Sequence, residues 1–131
     1  GLLKGTTAIV NNPQTIVTNY YKRHVENLFN IIHPGKPIEG IREKYANRLN
    51  VAEFYKSIAY VPKINYLQNV ACRQDVKKHL SPFIEGLYEI GEEPVFNKVR
   101  LDLYLDEKVG HSPVSKKETI DYINRIISSS Q

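Results

Sequence analysis

Between Lys98 and Glu107 the chain reads KVRLDLYLDE, and its carboxylates are the first place where residue type and spacing could do chemistry. Asp102 and Asp106 fall on the same side of an alternating pattern as Lys98 and Arg100, so two acids and a cation could converge on a metal ion that activates water, as in a metal-dependent nuclease. Nuclease strands of that kind place one acid on a first strand and Glu-x-Lys on the next, whereas Asp106-Glu107-Lys108 has no intervening residue. Alternating opposite charges are also the ordinary make-up of a solvated strand face, and that is the reading preferred here.

The other chemical signals are weaker. His24, His33, His79 and His111 are scattered, with no two at the spacing of a shared metal site, and no acid-rich loop has the pattern of a calcium site. No serine sits in a Gly-x-Ser-x-Gly elbow, and Gly35-Lys36 lacks the upstream glycines of a phosphate-binding loop. Cys72, in VACRQDV, is the sole cysteine, so it cannot form an internal disulfide and is expected to act as a small buried hydrophobe. No catalytic residue, metal ligand, cofactor or small-molecule substrate is therefore expected.

What remains is positive charge interleaved with tyrosine. Tyr20-Tyr21-Lys22-Arg23, Tyr45 with Arg42 and Arg48, Tyr55-Lys56, and Tyr60 through Lys63 to Tyr66 combine ring faces with cations, as surfaces that stack bases and neutralise phosphates do. Lys77 and Lys78 add to the same half of the chain. Tyrosines at helical spacing are more often core rings with their hydroxyls at the rim, and that reading competes with the first. Residues 1–80 hold 12 Lys and Arg against 5 Asp and Glu, a net of +7, while residues 81–131 hold 6 against 9, a net of −3. A basic half can meet an acidic protein surface or a phosphate backbone. The candidate binding residues are Tyr20, Lys22, Arg23, Arg42, Arg48, Lys56, Lys77 and Lys78.

A chain of 131 residues, 41% hydrophobic and 24% charged, has the size and composition of one domain, residues 1–131, that buries its own core. No apolar run approaches the roughly 18 residues of a membrane span, and no signal-like segment is evident. A single cysteine points to a reducing intracellular compartment such as the cytoplasm, or to a particle assembled there. The absence of methionine leaves initiator removal and cleavage from a precursor as alternatives for the origin of Gly1.

The elements that must position these residues are read from periodicity. Asn12 and Pro13 suit a helix start, and Val17, Tyr21, Val25, Leu28 and Ile32 form an apolar stripe up to Pro34-Gly35, so the longest helix is expected over 12–33. Ile38, Ile41, Tyr45 and Leu49 mark a second helix, and Asn50 with Glu53 caps a third. A fourth is expected over Ile64–Leu80, with Leu67, Val70 and Ala71 inward. Residues 83–90 fit a helix or a strand. Val99, Leu101, Leu103 and Leu105 alternate strictly and are expected to face the core as a strand, paired antiparallel with Leu87–Ile90 across Gly91–Pro94 and flanked by a segment near Thr6–Val10. Ser115 and Glu118 form a capping box for a last helix. The expectation is an α+β fold, helix-rich with about five helices and a small antiparallel sheet of two or three strands. The functional expectation is a non-enzymatic binding or assembly subunit, such as a structural component of a larger (for example viral or nucleoprotein) particle, that docks on a protein partner through its basic helical half. Nucleic-acid binding through the same residues is the alternative, and a nuclease on Asp102 and Asp106 is a remote third.

Overall fold

The structure, a computed structural model, describes residues 5–19 and 22–129. Three strands, β1 (Thr7–Asn11), β2 (Lys63–Asn69) and β3 (Val99–Tyr104), form a sheet in the order β1-β2-β3. Both pairings are parallel. The expected antiparallel sheet is thus corrected: parallel neighbours cannot be joined by a tight turn, and each connection here is a helical crossover. Among the described residues seven α-helical segments are present, not about five. The first crossover holds a 3₁₀ turn (Val17–Asn19) and α1 (Lys22–Ile32), α2 (Ile38–Lys44), α3 (Ala46–Leu49) and α4 (Val51–Ile58). The second is an almost unbroken helical run of α5 (Arg73–Asp75), a π-helical turn (Val76–Leu80) and α6 (Ser81–Ile90), followed by a second π turn (Pro94–Lys98). The chain closes with α7 (Lys116–Ser129).

The segment expected to be a fourth helix contains the central strand. Six of the seven β2 residues, Ile64 to Asn69, are buried, because a strand with neighbours on both sides and helices above and below has no wet face and loses the two-residue alternation. Ile64 and Leu67 are three apart, which a strand buried on both faces and a helix satisfy equally well. Ile64 and Tyr66 point into the main core with Ala52, Val61, Leu80, Phe83 and Leu87, and the Tyr66 and Phe83 rings stack with centroids 5.7 Å apart. Burying Phe83 and Leu87 is worth about 1.5–3 kcal/mol each, which makes α6 the helix that holds the sheet. Leu87 to Ile90 is its last turn and not a strand.

The register puts Val99 opposite Ile64 and Leu101 opposite Tyr66, so the leucines of β3 lie on the core face, as their alternation predicts. Only Val99 packs against the core, however. Leu101, Leu103 and Leu105 are exposed, because β3 is an edge strand and the covering helices sit over β2 and β1. On the opposite face α7 lies against the sheet, and the Tyr122 hydroxyl donates to Asp102, in register with Leu67.

The helix expected over 12–33 is also redrawn. β1 runs through Asn11, Asn12 turns the chain at a left-handed φ of 48°, and α1 begins only at Lys22. Val25 is buried, but Leu28, Ile31 and Ile32 are exposed: the stripe exists and the main core forms elsewhere. Caps are where sequence and structure agree. Asn50 Oδ1 accepts from the Ala52 and Glu53 N–H groups at 3.0 and 3.3 Å. Ser115 Oγ accepts from Glu118 N–H, while the Glu118 carboxylate accepts from Ser115 N–H at 2.9 Å; these bonds hold the Glu118 carboxyl below its ordinary pKa.

Candidate functional site

In open parallel sheets, ligands meet the chain beyond the carboxyl ends of the strands. Here that end is built almost wholly from amides. Asn12 Oδ1 accepts from the Asn69 backbone N–H at 2.8 Å and from Gln68 Nε2 at 3.2 Å. Its Nδ2 donates to the His111 and Ser112 carbonyls and to the Tyr104 hydroxyl. Asn69, fully buried, donates through Nδ2 to the Asp106 and Gly110 carbonyls at 2.8 and 2.7 Å and accepts from the Asp106 and Ala71 N–H groups. Two asparagines, Asn12 just after β1 and Asn69 at the end of β2, thereby clamp the loop that follows β3. His111, carried by that loop, is brought against Asp75.

Asp75 ends α5 and is only 6% exposed. Its carboxylate meets His111 Nδ1 and accepts from Gln14 Nε2 at 3.4 Å. Cys72 caps α5, and its thiol contacts the same residue. Burial, helped by the Asp75 carboxylate and opposed by backbone N–H groups, pushes the Cys72 thiol above its usual pKa, which disfavours a reactive thiolate in the metal-free protein. His79, held inward by the π turn, is buried; its carbonyl accepts from Thr15 Oγ1 at 2.7 Å and its Nδ1 faces the Ile16 N–H at 3.4 Å. Burial lowers the His79 pKa, as do His111 and Lys78, against the opposing pull of Asp75. No family model, curated protein or solved structure gives a significant match to this chain.

Among the described residues, the basic side chains singled out in the sequence are not gathered into one site. Tyr20 and the side chains of Lys22 and Arg23 lie outside the described residues. Lys56 bridges Glu53, at 2.6 Å, and Glu89, joining α4 to α6, so its charge is balanced within the fold. Arg42 and Arg48 are exposed on α2 and α3, whereas Lys77 and Lys78 are exposed on the π turn of the other crossover. Asp102 and Asp106 do not converge: Asp102 takes the Tyr122 hydroxyl and Arg100 Nε, at 3.3 Å, while Asp106 caps the Lys108 and Val109 N–H groups. Hydrogen bonding to Asp102 and, more strongly, burial push the Tyr122 hydroxyl up to about 12.

Two features were missed in the sequence. Cys72 and Asp75 stand three apart, one turn of helix, but their partner His111 is 36 residues further on and only the asparagine clamps bring it back. The second is the outer margin of β3, where Leu101, Leu103 and Leu105 form an exposed apolar row beside a strand edge that pairs with nothing among the described residues. No helix among the described residues is long and apolar enough to cross a membrane.

Proposed function

We propose that this chain is a non-enzymatic assembly subunit that joins a second copy of itself through the edge of β3. The observation that carries the reading is the exposed leucine row on an edge strand, with Leu103 57% exposed. Edge strands offer unpaired N–H and C=O groups, and folds usually blunt them with charge, proline or a covering element; an apolar row left there marks a contact surface. The stretch of β3 with its flanking residues, 98–106, is also self-complementary in charge. Lys98 and Arg100 precede its centre, and Asp102 and Asp106 lie at or beyond it. Antiparallel pairing about a two-fold axis at Asp102 sets Lys98 against Asp106 and Leu101 against Leu103 on each side, a symmetric contact of the kind closed dimers use. The two Asp102 side chains meet at the axis, each already paired with its own Arg100 and hydrogen-bonded by Tyr122.

This moves the docking surface from the basic helices to the sheet edge. The test is mass in solution by light scattering across a concentration series. Wild type should approach the mass of a dimer, and Leu103→Asp should remain folded and become monomeric. Lys98→Glu should weaken the dimer, and adding Asp106→Lys should restore it, because the cross-strand pair is then reversed and not lost. A wild type that stays monomeric at the highest soluble concentration overturns the reading.

A further inference from the structure

Self-association through β3 leaves the Cys72, Asp75 and His111 cluster at the end of the sheet unused. The Cys72 thiol, the Asp75 carboxylate and the His111 ring each offer one donor atom, and these atoms lie within 4.8 Å of one another. They line a cavity of about 200 Å³ together with Gln14, Lys78 and His79. Gln14 supplies an independent observation, since its Oε1 is buried without a hydrogen-bond partner. An orphaned acceptor beside a buried carboxylate is an unfavourable arrangement that a cation or a bound water would relieve.

We propose that Cys72, Asp75 and His111 form a binding site for a thiophilic divalent cation of the zinc class, with Gln14 Oε1 or water completing the coordination. The donor set selects the metal. One sulfur, one nitrogen and one carboxylate oxygen suit zinc or cobalt(II), whereas calcium and magnesium require sites built from oxygen. The geometry is close to closed. Bonds of about 2.0–2.3 Å at tetrahedral angles separate the donors by about 3.3–3.7 Å, so the widest-spaced donors must draw in, while the Asp75 carboxylate and His111 Nδ1, which now meet each other, must part to admit the ion. Binding replaces the thiol proton, which leaves to solvent, and converts a thiol facing a carboxylate into two anions sharing one dication. The supporting shell is present. Asn12 and Asn69 hold the His111 loop through its carbonyls, and Gln14 Nε2 fixes one oxygen of Asp75, as outer partners do around metal ligands. His111 is half exposed, which leaves an entry path and an open coordination position. Lys78, the cation on the wall, is on the exposed side of its helix and can turn to solvent.

Cobalt(II) is the probe, titrated into metal-free full-length protein. One equivalent should bind with a thiolate-to-cobalt charge-transfer band in the near ultraviolet, and zinc should displace it. Because Cys72 is the sole cysteine, that band can arise from no other residue. Cys72→Ser should abolish it, with circular dichroism and thermal melting of the metal-free variant verifying the fold. Asp75→Asn and His111→Ala should each weaken affinity about tenfold or more, while His33→Ala, whose ring stacks on Tyr45 elsewhere, should not. No band at stoichiometric cobalt overturns the proposal. So does a band whose affinity is unchanged in both Asp75→Asn and His111→Ala, which would mean coordination by the thiol alone. These readouts are separate from the mass measurement, so either proposal can fail while the other stands.

Discussion

At the residue scale, asparagine does most of the positioning. Asn69 uses its amide donor group and its carbonyl on the loop after β3 and the turn after β2, in bonds that are part-buried. Removing it orphans several polar groups, at about 1–3 kcal/mol for each that stays buried. Asn69→Ala should therefore cost about 2–4 kcal/mol in denaturant unfolding, and it should release His111 from Asp75. His79 gives a pH dependence. Its folded pKa lies below that of the unfolded chain, about 6.5, because burial, with His111 and Lys78, disfavours the charged form against the pull of Asp75. The unfolded state then binds the proton more readily. Stability should be fully present above about pH 6.5, fall as the pH drops below that value, and stop falling from this cause once the folded ring also titrates. Unfolding curves between pH 7.5 and 5, for wild type and His79→Gln, should show a slope in the first that is reduced in the second.

At the element scale, α4 packs closely on α6 at Gly86. A Cβ built on Gly86 would stand 2.6 Å from the Ala52 Cβ, too close for two groups fixed to helical backbones. Gly86→Ala gains about 1 kcal/mol of helix propensity, but the overpacking costs about 1–3 kcal/mol and the helices must separate. A net destabilisation is expected, with partial recovery when Ala52→Gly is added; additivity of the two substitutions would show that they do not touch. The Lys56 bridge from α4 to Glu89 of α6 spans the same junction from its wet side. The contact that orders the second crossover is thus a glycine that no periodicity marks.

For the whole molecule, the decisive fact is which apolar faces are covered. Leu28 is 52% exposed on α1, so Leu28→Ala should cost less than about 0.5 kcal/mol, where a core leucine would cost about 2–5 kcal/mol. Leu103→Asp should likewise leave the melting temperature nearly unchanged at concentrations where the wild type is monomeric, since no charge is buried, while altering the mass in solution at higher concentration. A three-stranded parallel sheet ends at two edges, here the outer sides of β1 and β3. Among the described residues no strand pairs with the outer edge of β3.

The sequence by itself determined the elements whose signals are local. The Asn50 and Ser115 caps, the chain stop at Pro34-Gly35, the last helix and the side-chain parity of Val99 to Leu105 all follow from contacts within a few residues, where periodicity and capping chemistry act directly. It also carried the reason why Lys98 to Asp106 is self-complementary in charge. Only the tertiary structure decided that residues 63–69 are a central strand, because burial on both faces erases the alternation by which a strand is recognised. Only it decided that the sheet is parallel, since direction is set by crossovers of some 50 and 30 residues and not by any one turn. The cluster of Cys72, Asp75 and His111 was hidden for the same reason: its members meet through long-range hydrogen bonds to Asn12 and Asn69, and spacing along the chain holds no trace of a contact made across three strands.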